Sequence, residues 1–441
     1  MPYRQSLERC FAAAIGDRGL SAPAWEAALE RAAVAMATVR RWHDDESLPL
    51  LRLPRRRDDL AACRAAAEVL TRGASDIVHF GTGGSSLGAQ ALAQLAGYRV
   101  PGSRLTLGLD ERPALHFFDN LDAATLTEAL GNLDFRTTRF LVVSKSGGTP
   151  ETVVQLIATL DALTAEGLDR NAARHIVVLT EPADPARNPA RSLAARYGLT
   201  VLDHDPRVGG RFSVLSNVGM LPALLLGLDP EAIRAGAAEV MAAFLTGDDP
   251  AAIAPVAGAA MVQGLTEERG LAATILMPYS DRLRLLSAWY QQLWAESLGK
   301  DGLGTQPVAA AGPVDQHSQM QLFLGGPADK LLTIIMGTTA GSGPRVSADL
   351  RSDPLLGYLA GRTVGDLTDA QARANAETYA GHGRPVRVMT IDRVDERTTG
   401  ALLMHFMLET IITGLMMGID PFDQPAVEAA KVLTRDYLAA M

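Results

Sequence analysis

The stretch Ile77-Val-His-Phe-Gly-Thr-Gly-Gly-Ser-Ser-Leu-Gly88 carries the pattern that decides the fold. Four mostly apolar residues, the length of a short strand, lead into a loop of small residues, and an Ala/Leu-rich helical stretch follows. A second unit of this kind runs from Phe-Leu-Val-Val at 140–143 into Ser-Lys-Ser-Gly-Gly-Thr-Pro-Glu-Thr at 144–152. Strand–loop–helix units of this type are typical of α/β folds with parallel sheets.

On either side of these units, short apolar runs alternate with longer amphipathic stretches. This alternation predicts two sets of parallel strands joined by helices. Residues 341–365 are rich in glycine, proline and charge, and we predict a loop or irregular insertion there. The predicted strands are residues 77–80, 115–118, 140–143, 176–179 and 199–202 in the first set, and 273–277, 330–336 and 386–391 in the second.

Changes in composition and helix-interrupting residues along the chain predict its domain organisation. The N-terminal part is rich in alanine and arginine and is predicted to be helical, without strands. Pro222, Asp229 and Pro230 interrupt a later helical stretch and mark the join between two α/β domains. The predicted parts are an N-terminal helical segment, a first domain, a second domain and a C-terminal helix: residues 1–72, 73–222, 223–418 and 419–441.

Composition excludes several classes of function. The chain has 441 residues, 47% of them hydrophobic, so it can bury a large core, and its net charge of −9 argues against general binding of nucleic acid. Cys10 and Cys63 have no CxxC spacing, which argues against a disulfide framework or a zinc site and favours a reducing compartment. Residues 1–20 lack the apolar run of a signal peptide, so the cytoplasm is expected.

A membrane location is not expected either. The apolar stretch at residues 401–418 contains His405 and Glu409 near its middle. Charged groups are expensive at the centre of a bilayer, so we interpret this stretch as a buried helix.

The two glycine-rich loops are candidate phosphate sites. Small residues let the backbone approach an anion, the helix N-termini offer amide donors, and both loops should leave the same edge of one sheet. For one such loop, a tight turn without a ligand is an equally good interpretation. A dinucleotide-binding fingerprint needs glycine where Ser86 stands, which disfavours a nicotinamide cofactor. The first loop is not followed by GK[ST], which disfavours binding of a nucleoside triphosphate. The loop residues singled out are Gly84, Ser85, Ser144, Lys145, Ser146 and Thr149.

Four residues are candidates for acid–base or charge chemistry, although three of them, Glu296, Arg211 and Lys431, are each better explained alone as an ordinary structural or surface residue. Glu296 lies near the end of a helix predicted over 283–296, one turn after Gln292, and Gly299 is a plausible stop. The negative end of the helix dipole disfavours its charge, which suits a general base. Arg211 follows a flexible glycine pair that could aim its guanidinium at an oxyanion.

His317 and Lys431 complete the set. His317 follows Asp315, a predicted helix N-cap. Lys431 lies on the last helix, two turns after Gln424, and Asp423 is a candidate cap for that helix. His79 and His405 are interpreted as hydrogen-bonded core histidines, and no His/Cys/Asp cluster has metal-ligand spacing.

Two blocks of sequence resemble the phosphoglucose isomerase family. One is Val-Gly-Gly-Arg-Phe-Ser-Val at 208–214, and the other contains Phe-Asp-Gln-Pro-Ala-Val-Glu-Ala-Ala-Lys at 422–431. The serine loops, QQLWAESLGK at 291–300 and Gln316-His317 occur in the order of the family, so the resemblance extends from about Ser75 to Lys431. It implies an α/β fold of two sugar-isomerase (SIS) domains, each a parallel sheet flanked by helices, plus C-terminal helices.

The resemblance also implies an activity and the residues that perform it. The expected reaction is the interconversion of glucose 6-phosphate and fructose 6-phosphate through a cis-enediol(ate), a step of glycolysis and gluconeogenesis, without metal or cofactor. Glu296 matches the base that moves a proton between C1 and C2, Arg211 the group that stabilises the enediolate, and His317 and Lys431 the groups for ring opening. The implied substrate-binding residues are Gly84, Ser85, Ser144, Lys145, Ser146, Thr149, Gly210, Gln292 and Gln424.

The family resemblance further implies a homodimer with shared sites, in which His317 reaches into the partner's site. One departure concerns Gly148, where bacterial relatives more often carry threonine, so one hydroxyl is lost from the phosphate loop.

Three alternatives differ in what they need. A dual phosphoglucose/phosphomannose isomerase would keep every residue above. A non-catalytic SIS module that binds a sugar phosphate would need the serine loops but not Glu296, Arg211, His317 and Lys431 together. A nicotinamide dehydrogenase would need the ribose-binding acid that is missing here.

Overall fold

The computed structural model describes residues 1–427 and 430–441 in full and residues 428 and 429 by their backbone alone. Its strands form two five-stranded sheets. The strands are β1 Tyr3–Ser6, β2 Asp76–Phe80, β3 Ala114–Phe118, β4 Thr138–Val143, β5 Ile176–Thr180, β6 Thr200–Asp203, β7 Ala273–Pro278, β8 Gln306–Ala309, β9 Lys330–Gly337 and β10 Val386–Ile391.

The helices cover both sheets. They are α1 Ala12–Ile15, α2 Ala22–Asp44, α3 Leu60–Thr71, α4 Leu87–Ala96, α5 Ala123–Asn132, α6 Pro150–Ala165, α7 Pro189–Tyr197, α8 Asn217–Leu225, α9 Pro230–Thr246, α10 Ala254–Arg269, α11 Arg284–Leu298, α12 Val314–Ser318, α13 Met320–Gly325, α14 Val364–Gly381, α15 Glu396–Met417 and α16 Glu428–Ala440. The insertion predicted at 341–365 is irregular, with two short 3-10 turns, Ala348–Ser352 and Gly357–Leu359.

The first sheet has the order β3-β2-β4-β5-β6, and all its pairs are parallel. Alternate residues of its strands face opposite layers. Ile77 and Leu141 join the large central core, whereas Val78 and Phe140 pack with residues of α6 and α7. Because helices cover both faces, these strands read as continuous apolar runs, which explains why all five were predictable. Since β2 and β4 are neighbours, their loops leave the same edge, as predicted.

The second sheet has the order β1-β10-β9-β7-β8. Its strands are parallel except for β1, which pairs with β10 in antiparallel register, with Tyr3 opposite Ile391. The three predicted strands are confirmed, and β8 and β1 were missed. The prediction of a strand-free segment over residues 1–72 is therefore wrong at β1, where only Tyr3 of four residues is buried and the local pattern is too short to indicate a strand. The division into domains at the predicted boundaries stays a prediction.

The long helix α15 is the apolar stretch that we predicted to be buried. Asp395 caps it by accepting a hydrogen bond from the Thr398 amide, and Gly418, in the left-handed region, ends it. The helix is long and apolar enough to cross a membrane by composition, but 83% of its most apolar window is buried inside the protein. It therefore packs as a core helix.

A fully buried charge cluster, Arg387, Glu409, His405 and Tyr3, ties α15 to β1 and β10. Arg387 Nη1 donates to both carboxylate oxygens of Glu409 at 2.7 Å, and His405 Nε2 lies 2.8 Å from Glu409 Oε2. The Tyr3 hydroxyl lies 2.7 Å from His405 Nδ1. Burial alone would raise the pKa of Glu409, but Arg387 and His405 outweigh it and lower that pKa, while burial lowers the pKa of His405.

Candidate active site

The helix α11 presents the candidate base. Its apolar side, which includes Trp289 and Leu293, is buried, and the helix ends at Gly299 as predicted. On the other side, Gln292 and Glu296 lie one turn apart, and Gln292 Nε2 donates to Glu296 Oε2 at 2.8 Å. The glutamate is thus oriented before any substrate arrives.

Arg211 holds the second oxygen of this carboxylate. It lies in the 3-10 turn Gly210–Leu215, and its side chain is only 3% exposed, whereas that of Glu296 is 24% exposed. Arg211 Nη1 donates to Glu296 Oε1 at 2.9 Å. Burial lowers the pKa of the guanidinium, and Glu296 opposes that shift. The remaining acceptors of Arg211 are Ser297 Oγ, Gln424 Oε1, and the carbonyl oxygens of Pro421 and Asp423.

A cavity of about 800 Å³ opens beside this pair. Its volume is within the usual range for small-molecule sites. The exposed part of Glu296 faces it, and so do groups from the chain that follows α15. The polar and charged lining residues are Glu296, Lys300, Asp301, Asp420, Asp423 and Gln424. A carboxylate supported by a fixed guanidinium can move a proton on a bound molecule while positive charge faces a developing oxyanion.

The first glycine loop contacts the turn that carries Arg211. A Cβ atom on Gly84 would overlap the backbone of Gly210, so this close approach requires glycine. His79 Nε2 donates to the Ser85 carbonyl at 2.9 Å and so supports the loop from the strand below. Burial lowers the pKa of His79 to about 4, so the ring is neutral. Ser86, in contrast, points away: it is buried, and its hydroxyl accepts from Gln90.

The second loop places hydroxyls at the start of α6. The hydroxyls of Ser144 and Thr149 lie 3.0 Å apart, and Ser146 Oγ accepts from the Gly148 amide at 3.3 Å. Pro150 occupies the first turn of the helix, where its missing N–H costs nothing. A Cβ atom at Gly148 would make only van der Waals contacts, with the ring of Pro189 and the Ser146 carbonyl, so there is space at this position for the residue of the family pattern.

The backbone of this loop is held from the neighbouring strand. The Thr180 hydroxyl donates to the Lys145 carbonyl, and Asn188 Nδ2 donates to the Thr180 hydroxyl, both at 3.0 Å. Gly147 has φ of +65° and packs so closely on Asn188 that no Cβ would fit. Lys145 is half-buried, and burial lowers the pKa of its ammonium group.

His317 and Lys431, the candidates for ring opening, are both exposed. His317 is exposed on α12, and its ring makes no hydrogen bond or ion pair with any residue that the structure describes. The prediction that Asp315 is the N-cap is wrong, because the helix begins one residue earlier, at Val314. The Asp315 carboxylate instead accepts from the Ala311 amide. Lys431 is exposed on α16, four residues after Val427, the last residue that lines the cavity.

Sequence reasoning assigned no role to Ser297 and Lys300 and gave Asp423 a wrong one. The helix α16 begins at 428, so Asp423 does not cap it; its carboxylate pairs with Lys300 at 2.7 Å. Ser297 supports Arg211 directly. Both missed residues lie in the QQLWAESLGK segment, so their proximity to Glu296 in sequence was the available signal.

In the fully described part of the chain, no group of three or more histidine, cysteine, aspartate or glutamate side chains is arranged to hold a metal ion. Cys10 and Cys63 are free thiols, both buried.

Comparison with known proteins gives a consistent result. The family model described as phosphoglucose isomerase matches residues 66–327. A glucose-6-phosphate isomerase from Rubrobacter xylanophilus is 39% identical over 388 residues, which cover 87% of each chain. A crystal structure of a hypothetical protein from Thermus thermophilus is 32% identical, with a TM-score of 0.84 and coverage of 99% of this chain and 100% of that one.

A crystal structure of a glucose-6-phosphate isomerase from Chlamydia trachomatis is 23% identical and shows the same fold, with a TM-score of 0.70 and coverage of 87% of this chain and 73% of that one. The family match spans more than half of the sequence and includes the turn with Arg211, the serine loops and α11. The chain belongs to the phosphoglucose isomerase family.

Proposed function

We propose that the protein interconverts glucose 6-phosphate and fructose 6-phosphate. The observation that carries this proposal is the Glu296–Arg211 pair, whose carboxylate lines the cavity, in a chain 39% identical to a glucose-6-phosphate isomerase. Glu296 takes the proton from one of the two carbons C1 and C2 and returns it to the other. Arg211 places positive charge near the oxygen that becomes negative in the enediolate.

The predicted domains contribute different parts of this site. The first, residues 73–222, supplies the phosphate loops and Arg211, and the second, residues 223–418, supplies Glu296 and Gln292. Ring opening falls to His317 and Lys431. With both cysteines reduced and buried, we place the reaction in the cytoplasm.

A coupled assay tests the activity. Fructose 6-phosphate should be converted to glucose 6-phosphate, with mannose 6-phosphate turned over much more slowly. Comparable kcat/KM for both would indicate the dual phosphoglucose/phosphomannose isomerase. Tight binding of the sugar phosphate without turnover would indicate the non-catalytic module. Dialysis against EDTA should leave the rate unchanged, and a loss that only a divalent ion restores would contradict the metal-free mechanism.

The phosphate group is proposed to lie in the loop of Ser144, Ser146 and Thr149, with Gly84, Ser85 and Lys145 nearby. Hydroxyl groups and helix N-terminal amides are suitable donors to an anion. Thr149→Val should raise KM for fructose 6-phosphate by about tenfold, the cost of one hydrogen bond to a charged group. Thr164→Val, an exposed substitution at the other end of α6, is the matched control. An unchanged KM in Thr149→Val would place the phosphate elsewhere.

We also propose a homodimer in which His317 completes the partner's site. Support comes from the exposure of this ring and from the family resemblance, and two-fold dimers are the commonest oligomers. Inactive His317→Ala and Glu296→Gln chains would be mixed under conditions that exchange subunits. One site of a mixed dimer receives both defects and the other receives neither, so about half of the wild-type activity per dimer should return. Heterodimers that stay inactive would refute the shared site.

A further inference from the structure

The segment after α15 forms one wall around Arg211. Two of its backbone carbonyls, Pro421 O and Asp423 O, accept from Arg211 Nη2 at 2.6 and 3.1 Å. The side chain of Gln424 accepts from Arg211 Nη1 at 3.3 Å. The direction of the guanidinium therefore depends on where this segment lies.

Apolar contacts fix the first half of the segment. Gly414 leaves just enough room for the ring of Pro421, since a Cβ there would lie 2.9 Å from it. The ring of Phe422 packs 5.5 Å from that of Phe212 and 6.0 Å from that of Trp42. These apolar contacts end at Phe422.

Beyond Phe422, the described contacts of Asp423 and Gln424 are polar. Asp423 is exposed, and its side chain is 53% accessible, so packing does not hold it. Its carboxylate instead pairs with Lys300 Nζ at 2.7 Å.

Lys300, the partner of Asp423, is almost completely buried. Its side chain is only 8% exposed, and an ammonium group this buried requires acceptors. Besides Asp423, its Nζ donates to Ser297 O, at 3.0 Å, and to Asp420 O. The first of these carbonyls belongs to the last turn of α11, where the helix dipole favours a cation. Lys300 thus joins the end of the helix that carries Glu296 to both ends of the segment that holds Arg211.

We propose that Lys300 is a positioning residue, which through Asp423 and the Asp420 carbonyl fixes residues 420–424 so that Arg211 and Gln424 face Glu296. The inference rests on the proposed isomerase function. Arg211 acts on charge that develops in the transition state, so its misplacement lowers kcat more than it raises KM. Displacements of about 1 Å in such groups can cost on the order of a hundredfold in rate.

The first test compares two substitutions at Lys300. Lys300→Met keeps the aliphatic stem and removes the charge, and we expect kcat for fructose 6-phosphate to fall at least tenfold while KM changes less than threefold. Lys300→Arg should retain most of the turnover, because a guanidinium can donate to the same oxygens. Lys330→Met is the matched control. Lys330 is similarly buried and binds a carboxylate, Asp329, and a backbone carbonyl, but on β9. It should leave kcat and KM unchanged.

A second variant protects the test against misfolding at the buried lysine. Asp423→Ala changes a half-exposed side chain and should also lower kcat with little change in KM. In the double variant Lys300→Met/Asp423→Ala, kcat should be within about twofold of the worse single variant, because Lys300→Met already removes the contact through which Asp423 acts. Wild-type kcat in folded Lys300→Met or in Asp423→Ala, or losses that multiply, would overturn the proposal. A wild-type protein without isomerase activity would instead refute the proposed function.

Discussion

The protein contains two glutamate–arginine pairs that are chemically alike and differently placed. In the candidate active site, Arg211 donates to Glu296 at 2.9 Å, and in the buried charge cluster between α15 and the second sheet, Arg387 donates to Glu409 at 2.7 Å. Both arginines are almost completely buried. The difference is on the carboxylate side: the side chain of Glu296 is 24% exposed to the cavity, whereas that of Glu409 is 0% exposed.

A partly exposed carboxylate such as that of Glu296 can reach a bound molecule, whereas the fully buried carboxylate of Glu409 can only stabilise the fold. Both carboxylate oxygens of Glu409 accept from Arg387, and one of them is also hydrogen-bonded to His405. The other ring nitrogen of His405 is hydrogen-bonded to the Tyr3 hydroxyl. Glu296 also has both oxygens bonded, but its partners leave one face open to a substrate. An ion pair of the same type is therefore accessible to a bound molecule at Glu296 and closed to it at Glu409.

The largest effect on turnover is expected from removing the partly exposed carboxylate of Glu296. Glu296→Gln should fold normally, because Arg211 keeps four other acceptors. Its turnover should fall by about 10² to 10⁴-fold, the usual contribution of a general base. Steady-state kinetics measure this, with circular dichroism as the control for folding. More than roughly a tenth of wild-type turnover, far above that range, would remove Glu296 from its role.

The fully buried Arg387–Glu409 pair, here called the closed pair, should matter for stability and not for turnover. Glu409→Gln leaves Arg387 buried without a counter-charge, which costs about 3–5 kcal/mol of folding stability. The urea midpoint should fall well below that of the wild type, while turnover per folded molecule stays near the wild-type value. A large loss of turnover with an unchanged midpoint would mean that the two pairs do not divide the work in this way.

Acid should weaken the closed pair through His405. Burial lowers the pKa of His405, so the folded state keeps the ring neutral while the unfolded chain takes up a proton below its ordinary pKa of about 6.5. Stability should therefore fall as pH drops below that value, by at most about 1.4 kcal/mol per pH unit for one proton. In His405→Gln this component is absent, so the stability advantage of the wild type over that variant should shrink toward pH 5. A constant difference would show that the pKa of His405 is the same in the folded and unfolded states, and a growing one that the fold raises it.

A further prediction concerns Tyr3, at the edge of the closed pair. Tyr3→Phe removes a buried hydroxyl and leaves His405 Nδ1 without its partner, which should cost about 1–3 kcal/mol. Thermal unfolding measures the change, and kcat should not move. Tyr358→Phe, at a side chain that is 74% exposed, is the control and should leave the midpoint unchanged.

How far the sequence could predict this molecule depended on how local the signal was. Strands covered on both faces produce apolar runs of four to seven residues, and eight of them were found. The strand β8, with Pro307 among its four residues, and β1 have no such run, and β1 exists because β10 offers it an edge far away in the chain. His405 was correctly interpreted as a hydrogen-bonded core histidine.

The site followed the same rule. The i to i+4 spacing of Gln292 and Glu296 predicted a real contact, since both lie on one helix. The cap assigned to Asp423 was wrong because its partner, Lys300, is distant in sequence. The roles of the matched residues in catalysis and binding, including those of His317 and Lys431, stay predictions.

The antiparallel strand β1 has a consequence for how the protein is made. Tyr3 leaves the ribosome almost 400 residues before its sheet partner Ile391 and its hydrogen-bond partner His405 are synthesised. At about 5–20 residues per second, this strand waits roughly 20–80 seconds with no edge to pair with. During translation the first sheet can form from residues already present, whereas the second sheet and its buried charges can close only after β10 and α15 have been made.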